Sequence, residues 1–106
     1  LSNGNHDMLE TAFRAAGLMD KLDALLSVED VGIFKPAPQV YQLGLDRYQA
    51  KPEELLFVSS NGWDACAAGQ FGFQTVWANR AQMPVERLPN APDHIVSDLR
   101  ALAQYL

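Results

Sequence analysis

Apolar and polar positions fall in blocks along the chain, and the period changes from one block to the next. Met8, Leu9, Ala12, Phe13 and Ala16 recur at helical spacing before Gly17, which predicts a first helix capped by Asn5 or Asp7. Residues 18–22 read as a short helical turn and residues 25–28 as a brief strand. A loop with two prolines follows over residues 29–38. Pro38 suits the first position of a second helix, whose apolar face carries Val40, Tyr41, Gly44, Leu45 and Tyr48. After Pro52, the run at residues 55–58 has the continuous apolar character of a strand buried on both faces. Small residues over 65–71 predict a helix closed by Gly72, and residues 74–77 a further strand. The proline-rich stretch 81–93 is irregular, residues 94–96 form a last short strand, and Ser97 is the expected cap of a helix carrying Leu99, Leu102, Ala103 and Leu106.

Strands alternating with helices predict an α/β fold: a three-layer, Rossmann-like parallel sheet with helices on both faces. Ligands of such sheets bind at the carboxyl ends of the strands. Three polar clusters are candidates for that crevice: Ser2-Asn3-Gly4, Lys35-Pro36 and Ser59-Ser60-Asn61-Gly62-Trp63-Asp64. Together they point to an active site.

Composition narrows the classes. The chain has 106 residues, enough for one domain, and its 48% hydrophobic content fits a folded globular protein rather than a disordered one. A net charge of -5 without a basic stripe argues against a nucleic-acid partner. No apolar run approaches the roughly 20 residues of a membrane helix, and no secretory signal is visible. The single cysteine, Cys66, excludes an internal disulfide and fits a reducing cytosol, so a cytoplasmic location is expected. With two histidines and one cysteine, a structural zinc site is not expected. Leu1 is followed at once by a polar turn, so residues 1–106 are expected to be the C-terminal part of a core domain in a longer protein.

Taken in order, Ser2-Asn3-Gly4, Lys35-Pro36 and Val58-Ser59-Ser60-Asn61-Gly62-Trp63-Asp64 give the chain a pattern that resembles the haloacid dehalogenase superfamily. Within that superfamily the pattern looks like the L-2-haloacid dehalogenases. The resemblance spans essentially the whole chain, including Leu25-Leu26-Ser27-Val28, Phe71-Gly72-Phe73 and Trp77-Ala78-Asn79-Arg80. Phosphatases of the superfamily typically carry Gly-Asp-Ser-x-x-Asp at the last motif, where the first aspartate helps hold Mg²⁺. Here Ser60 stands in that aspartate's place and Asn61 in the serine's. A hydroxyl lacks the negative charge that a hard cation prefers, so metal-free halide displacement is favoured and no cofactor is expected.

The resemblance implies a two-step hydrolysis of short L-2-haloacids through an aspartyl ester. It implies that Ser2 and Asn3 bind the substrate carboxylate, with Asn3 also near the departing halide. Lys35 would balance the charge of two carboxylates, Asp64 would help activate the hydrolytic water, and Ser59 and Asn61 would fix that network. Tyr41 and Trp63 would line the substrate pocket. Tyr41 also falls on the apolar face of its helix, so a core role stands beside the pocket role. The family's Asp-x-x-Gly-Thr nucleophile motif is absent from this sequence, as are the first strand and the cap domain, so the segment alone is expected to be inactive. The missing N-terminal segment is therefore an expected partner, and the resemblance leaves a homodimer open. A superfamily phosphatase that has lost a metal ligand and a catalytically silent fragment are the competing readings.

The remaining residues draw plain readings. Cys66 reads as a small buried hydrophobe, and Trp77 and Phe71 as core. His6 and His94 have no role assigned. Asp20, Asp23, Glu29 and Asp30 look like a solvated acidic rim.

Overall fold

The computed structural model describes residues 1–106 and divides them into two compact units, Leu1–Tyr48 and Gln49–Leu106.

The first unit holds helices α1 (His6–Ala15) and α2 (Pro38–Tyr48), with single 3-10 turns at Met19–Lys21 and Val28–Asp30. Asn5 caps α1: its side-chain oxygen accepts from the Met8 amide at 2.8 Å. Gly17, at φ +68°, lets the chain leave the helix in the left-handed region. The apolar stripe of α1 is only partly covered, since Leu9 and Phe13 are half-buried while Met8, Ala12 and Ala16 are exposed. The strand expected at residues 25–28 shrinks to one parallel bridge, Ser2 to Ser27. Ser27 is responsible for that, because its hydroxyl accepts from the Glu29 amide and starts the 3-10 turn that ends the extended run. In α2, Val40, Tyr41 and Leu45 are buried as the spacing predicts, whereas Tyr48 at the last turn is 48% exposed.

The second unit is built on a three-stranded sheet in the order β1 (Leu56–Ser59), β2 (Gln74–Ala78), β3 (His94–Val96). Both pairings are parallel; Ser59 lies opposite Trp77, and Ala78 opposite Val96. Helix α3 (Gly62–Phe71) joins β1 to β2, and a 3-10 helix (Leu99–Tyr105) follows β3. Side chains alternate between the two faces. On one face Val76, Ala78 and Val96 form a buried cluster covered by Ala101, Leu102 and Tyr105. On the other, Thr75 and Trp77 lie under α3, close enough that a Cβ on Gly69 would sit 3.6 Å from Thr75 and one on Gly62 3.4 Å from Trp77. The predicted layering of helix, sheet and helix is thus present in this unit.

Two local expectations change. Val58 is 36% exposed, so one face of β1 is open within residues 1–106, where β1 has only β2 beside it. The closing helix is capped by Asp98 rather than Ser97, the Asp98 carboxylate accepting from the Arg100 amide at 2.7 Å, and it winds as a 3-10 helix. The irregular stretch before β3 is tied down by a reciprocal pair. The Thr75 amide donates to the Asp93 carboxylate at 2.8 Å, and the Asp93 amide donates to the Thr75 hydroxyl at 3.0 Å.

Gly72 ends α3 at φ +117°, and a Cβ there would stand 3.0 Å from the Pro52 Cβ. Gly72→Ala is expected to destabilise the protein by about 1–3 kcal/mol, the scale of a forced left-handed residue. Urea denaturation reads this as a lowered midpoint at unchanged slope, and an unchanged midpoint would contradict the requirement for glycine.

Candidate functional site

The carboxyl end of β1 delivers Ser59, and the turn Ser60-Asn61 then starts α3 at Gly62. Asp64 lies in the first turn of α3, where the helix dipole favours a negative charge, and it is 3% exposed. A carboxylate removed from water needs hydrogen-bond donors, and the Ser59 hydroxyl donates to Asp64 Oδ2 at 2.8 Å. The same hydroxyl oxygen accepts from the Asn61 amide at 3.1 Å. Three of the predicted residues are therefore joined by one oxygen. Asn61 contributes through its backbone, since it occupies the helix cap position without a side-chain capping bond.

Trp63 is 38% exposed. With Asn61, Trp77, Met83 and Val85 it lines a cavity of about 420 Å³ beside the turn. Sequence reasoning missed two residues that hold this turn. Trp77 Nε1 donates to the Ser60 carbonyl at 3.1 Å, and the Arg80 guanidinium donates to the Ser60 hydroxyl at 3.2 Å. Their signal was their position at and just past the carboxyl end of β2, the neighbour of β1.

The first unit holds Ser2, Asn3, Lys35 and Tyr41. The Ser2 hydroxyl accepts from the Gly4 amide at 3.0 Å, which leaves its proton to donate. Asn3 Oδ1 accepts from the Lys35 amide at 2.9 Å, which leaves the Asn3 NH₂ as a donor. Two neighbouring side chains thus present donors, the arrangement that suits an anion. The structure joins Asn3 to the Lys35 backbone, and Lys35 is half-buried, followed by a cis peptide to Pro36. Tyr41 is 1% exposed on α2.

A hydrogen-bond net fixes the Ser2-Asn3-Gly4 turn. The Ser27 hydroxyl donates to the Gly4 carbonyl at 2.7 Å, and the bridge adds Ser2 N to Leu26 O at 2.9 Å and Val28 N to Ser2 O at 3.1 Å. Glu29 and Asp30 are more than a solvated rim: Glu29 accepts from the His6 amide at 2.9 Å, and Asp30 pairs with His6 Nε2 at 2.9 Å. That hydrogen bond to Asp30 raises the His6 pKa above its usual 6.5.

No three His, Cys, Asp or Glu side chains converge on a common point. Ser60 and Arg80 together offer a hydroxyl and a positive charge, a donor set that does not fit a divalent cation.

Comparison with known proteins is consistent across sequence and structure. Residues 1–72 match the haloacid dehalogenase-like hydrolase family. The chain is 47% identical over its full length to (S)-2-haloacid dehalogenase 1 of Pseudomonas sp. (strain CBS-3), covering 47% of that protein. It is 50% identical over 86 residues, 81% of the chain, to (S)-2-haloacid dehalogenase 4A of Burkholderia cepacia, covering 37% of that protein. A crystal structure of an L-2-haloacid dehalogenase superposes with TM-score 0.95 at 46% identity, over 99% of this chain and 46% of that one. The chain spans about half the length of the curated relatives it matches.

The His6–Asp30 pair gives a pH prediction with a definite sign. A raised folded-state pKa means the pair stabilises fully below about pH 6.5, and its contribution is lost as pH rises through the raised value. An NMR titration should place His6 above 6.5, and Asp30→Asn should bring it back toward that value; a pKa unmoved by the substitution would remove the pair from the net.

Proposed function

Because the chain belongs to the haloacid dehalogenase-like hydrolase family, we propose that it supplies the water-activating half of an L-2-haloacid dehalogenase site. The parent protein then hydrolyses short 2-haloacids to 2-hydroxyacids without a metal. The observation that carries the reading is the buried Ser59–Asp64 hydrogen bond beside a serine, Ser60, which stands where a phosphatase would have a metal-binding aspartate.

In the proposed reaction, an aspartate outside these 106 residues attacks C2 of the haloacid through a carboxylate oxygen. The carbon–halogen bond breaks, the halide leaves with the bonding pair, and C2 is inverted. Water then adds to the carbonyl carbon of the aspartyl ester. Asp64 takes a proton from that water and returns it to the departing alkoxide, releasing the 2-hydroxyacid. The regenerated aspartic acid loses its proton to solvent. Ser59 and the Asn61 amide keep the Asp64 carboxylate in one orientation.

Ser2 and Asn3 donate to the substrate carboxylate in this reading, and Asn3 also serves the departing halide. Lys35 offsets the negative charge of substrate and nucleophile. Attraction between unit charges at ~4 Å is about 4 kcal/mol at an intermediate effective dielectric, enough to govern whether two anions react. Trp63 lines the substrate pocket in this reading, and the burial of Tyr41 supports the core role that stood beside its pocket role. A cytoplasmic location and a homodimer belong to the same proposal; the first rests on the lone cysteine and the second on the family resemblance.

The full-length protein is expected to release chloride from L-2-chloropropionate in the presence of a chelator. Lys35→Ala should lower that turnover by about a thousand-fold, the equivalent of its ~4 kcal/mol. Phosphate release that depends on Mg²⁺, without halide release, would overturn the reading in favour of a phosphatase.

Asp64→Asn should separate the two steps. It is expected to release about one equivalent of halide per site and then stop, leaving a protein heavier by the acyl-linked acid in mass spectrometry. Sustained turnover by that variant would take Asp64 out of the hydrolytic step.

A further inference from the structure

Ser59 and Asp64 keep their geometry only if the peptide between Ser59 and Asn61 keeps its own. Ser59 is the last residue of β1, and the turn through Ser60 and Asn61 leads from it into α3. What holds it comes from β2. Trp77 lies directly opposite Ser59 in the parallel register, is 4% exposed, and spends its indole N–H on the Ser60 carbonyl at 3.1 Å. Its ring also lies flush against the start of α3, since a Cβ on Gly62 would stand 3.4 Å from it. Three residues further on, Arg80 reaches the Ser60 hydroxyl at 3.2 Å. The carbonyl and the hydroxyl of Ser60 are therefore both held from the end of the neighbouring strand.

We propose that Trp77 and Arg80 are positioning residues for the hydrolytic step, acting through Ser60 on the Ser59–Asp64 pair. The inference rests on the dehalogenase reading. Neither side chain needs to touch the substrate. The indole bond fixes the rotation of the Ser60 peptide, whose next amide is the Asn61 N–H that the Ser59 hydroxyl accepts. Loosening that peptide lets the hydroxyl, and with it the carboxylate, wander from the line along which water must approach the ester. The first step, halide displacement, does not use Asp64 and is spared.

That asymmetry supplies the test in the full-length protein. Trp77→Phe keeps the packed ring and removes the donor. It should lower steady-state kcat about tenfold, the equivalent of one net hydrogen bond, with the rate of the first halide burst unchanged and the ester now accumulating in mass spectrometry. Arg80→Met and Ser60→Ala, both at exposed positions, should each lower kcat in the same way. Their double variant should be no slower than either alone, because both remove the same contact. Additive losses would overturn the route from Arg80 through Ser60. A slowed burst with no ester, or wild-type kcat in Trp77→Phe, would reduce Trp77 to a packing residue. If the unaltered protein releases no halide at all, the dehalogenase reading fails first and the positioning role fails with it.

Discussion

A carboxylate taken out of water at the start of a helix is the constraint around which the second unit is organised. Asp64 is 3% exposed, and such a group is tolerated only when donors replace the lost water. Ser59 meets this need with a side chain short enough to turn back from the strand end, and its oxygen is satisfied in turn by the Asn61 amide. Strand end, turn and helix start are thereby closed into one hydrogen-bonded unit. Burial also requires α3 to lie close to the sheet. Its inner positions are accordingly small: Gly62, Ala65, Cys66 and Ala68 are all buried. A Cβ at position 62 would already stand in van der Waals contact with the Trp77 ring, 3.4 Å away.

The first unit meets a similar demand with neutral groups. Ser27 is fully buried, so its hydroxyl must be paired, and it both donates to the Gly4 carbonyl and accepts from the Glu29 amide. Because Gly4 in turn donates to the Ser2 hydroxyl, the Ser2-Asn3-Gly4 turn is fixed from within by the same network. The reward is directional. Ser2 and Asn3 each accept from a backbone amide, and the Ser2 O–H and the Asn3 NH₂ keep donor capacity.

Much of this was legible in the residues. Helical spacing locates α1 and α2, Gly72 marks the end of α3, and the strand-end rule selects the Ser59–Asp64 run. Several departures share one cause, which is side-chain hydrogen bonding that periodicity does not encode. Residues 25–28 look like a strand by apolarity, yet the Ser27 hydroxyl turns the chain into a 3-10 turn. Asp98 outcompetes Ser97 as a cap because its carboxylate pairs with both the backbone amide and the guanidinium of Arg100. Glu29 and Asp30 read as surface charge until the fold brings the start of α1 within reach. Trp77 reads as core, and it is core; its second role lies in one N–H whose partner is seventeen residues away. A pattern of apolar positions reports burial, and burial is silent on which donor meets which acceptor.

The charge at a single turn position then bears on chemistry. A carboxylate at position 60 would present an anionic ligand to a hard cation, and Arg80 beside it would be drawn into a salt bridge that competes for the same oxygens. With serine there, Arg80 finds only a hydroxyl, so a positive charge stands near the turn with no negative charge on that residue to answer it. A divalent cation entering this spot would meet repulsion and a weak ligand together. An anion approaching Ser60 meets that guanidinium and the start of α3, while the Asp64 carboxylate of the same turn is 3% exposed. Serine at position 60 therefore removes one anionic ligand from the turn and leaves Asp64 as its carboxylate.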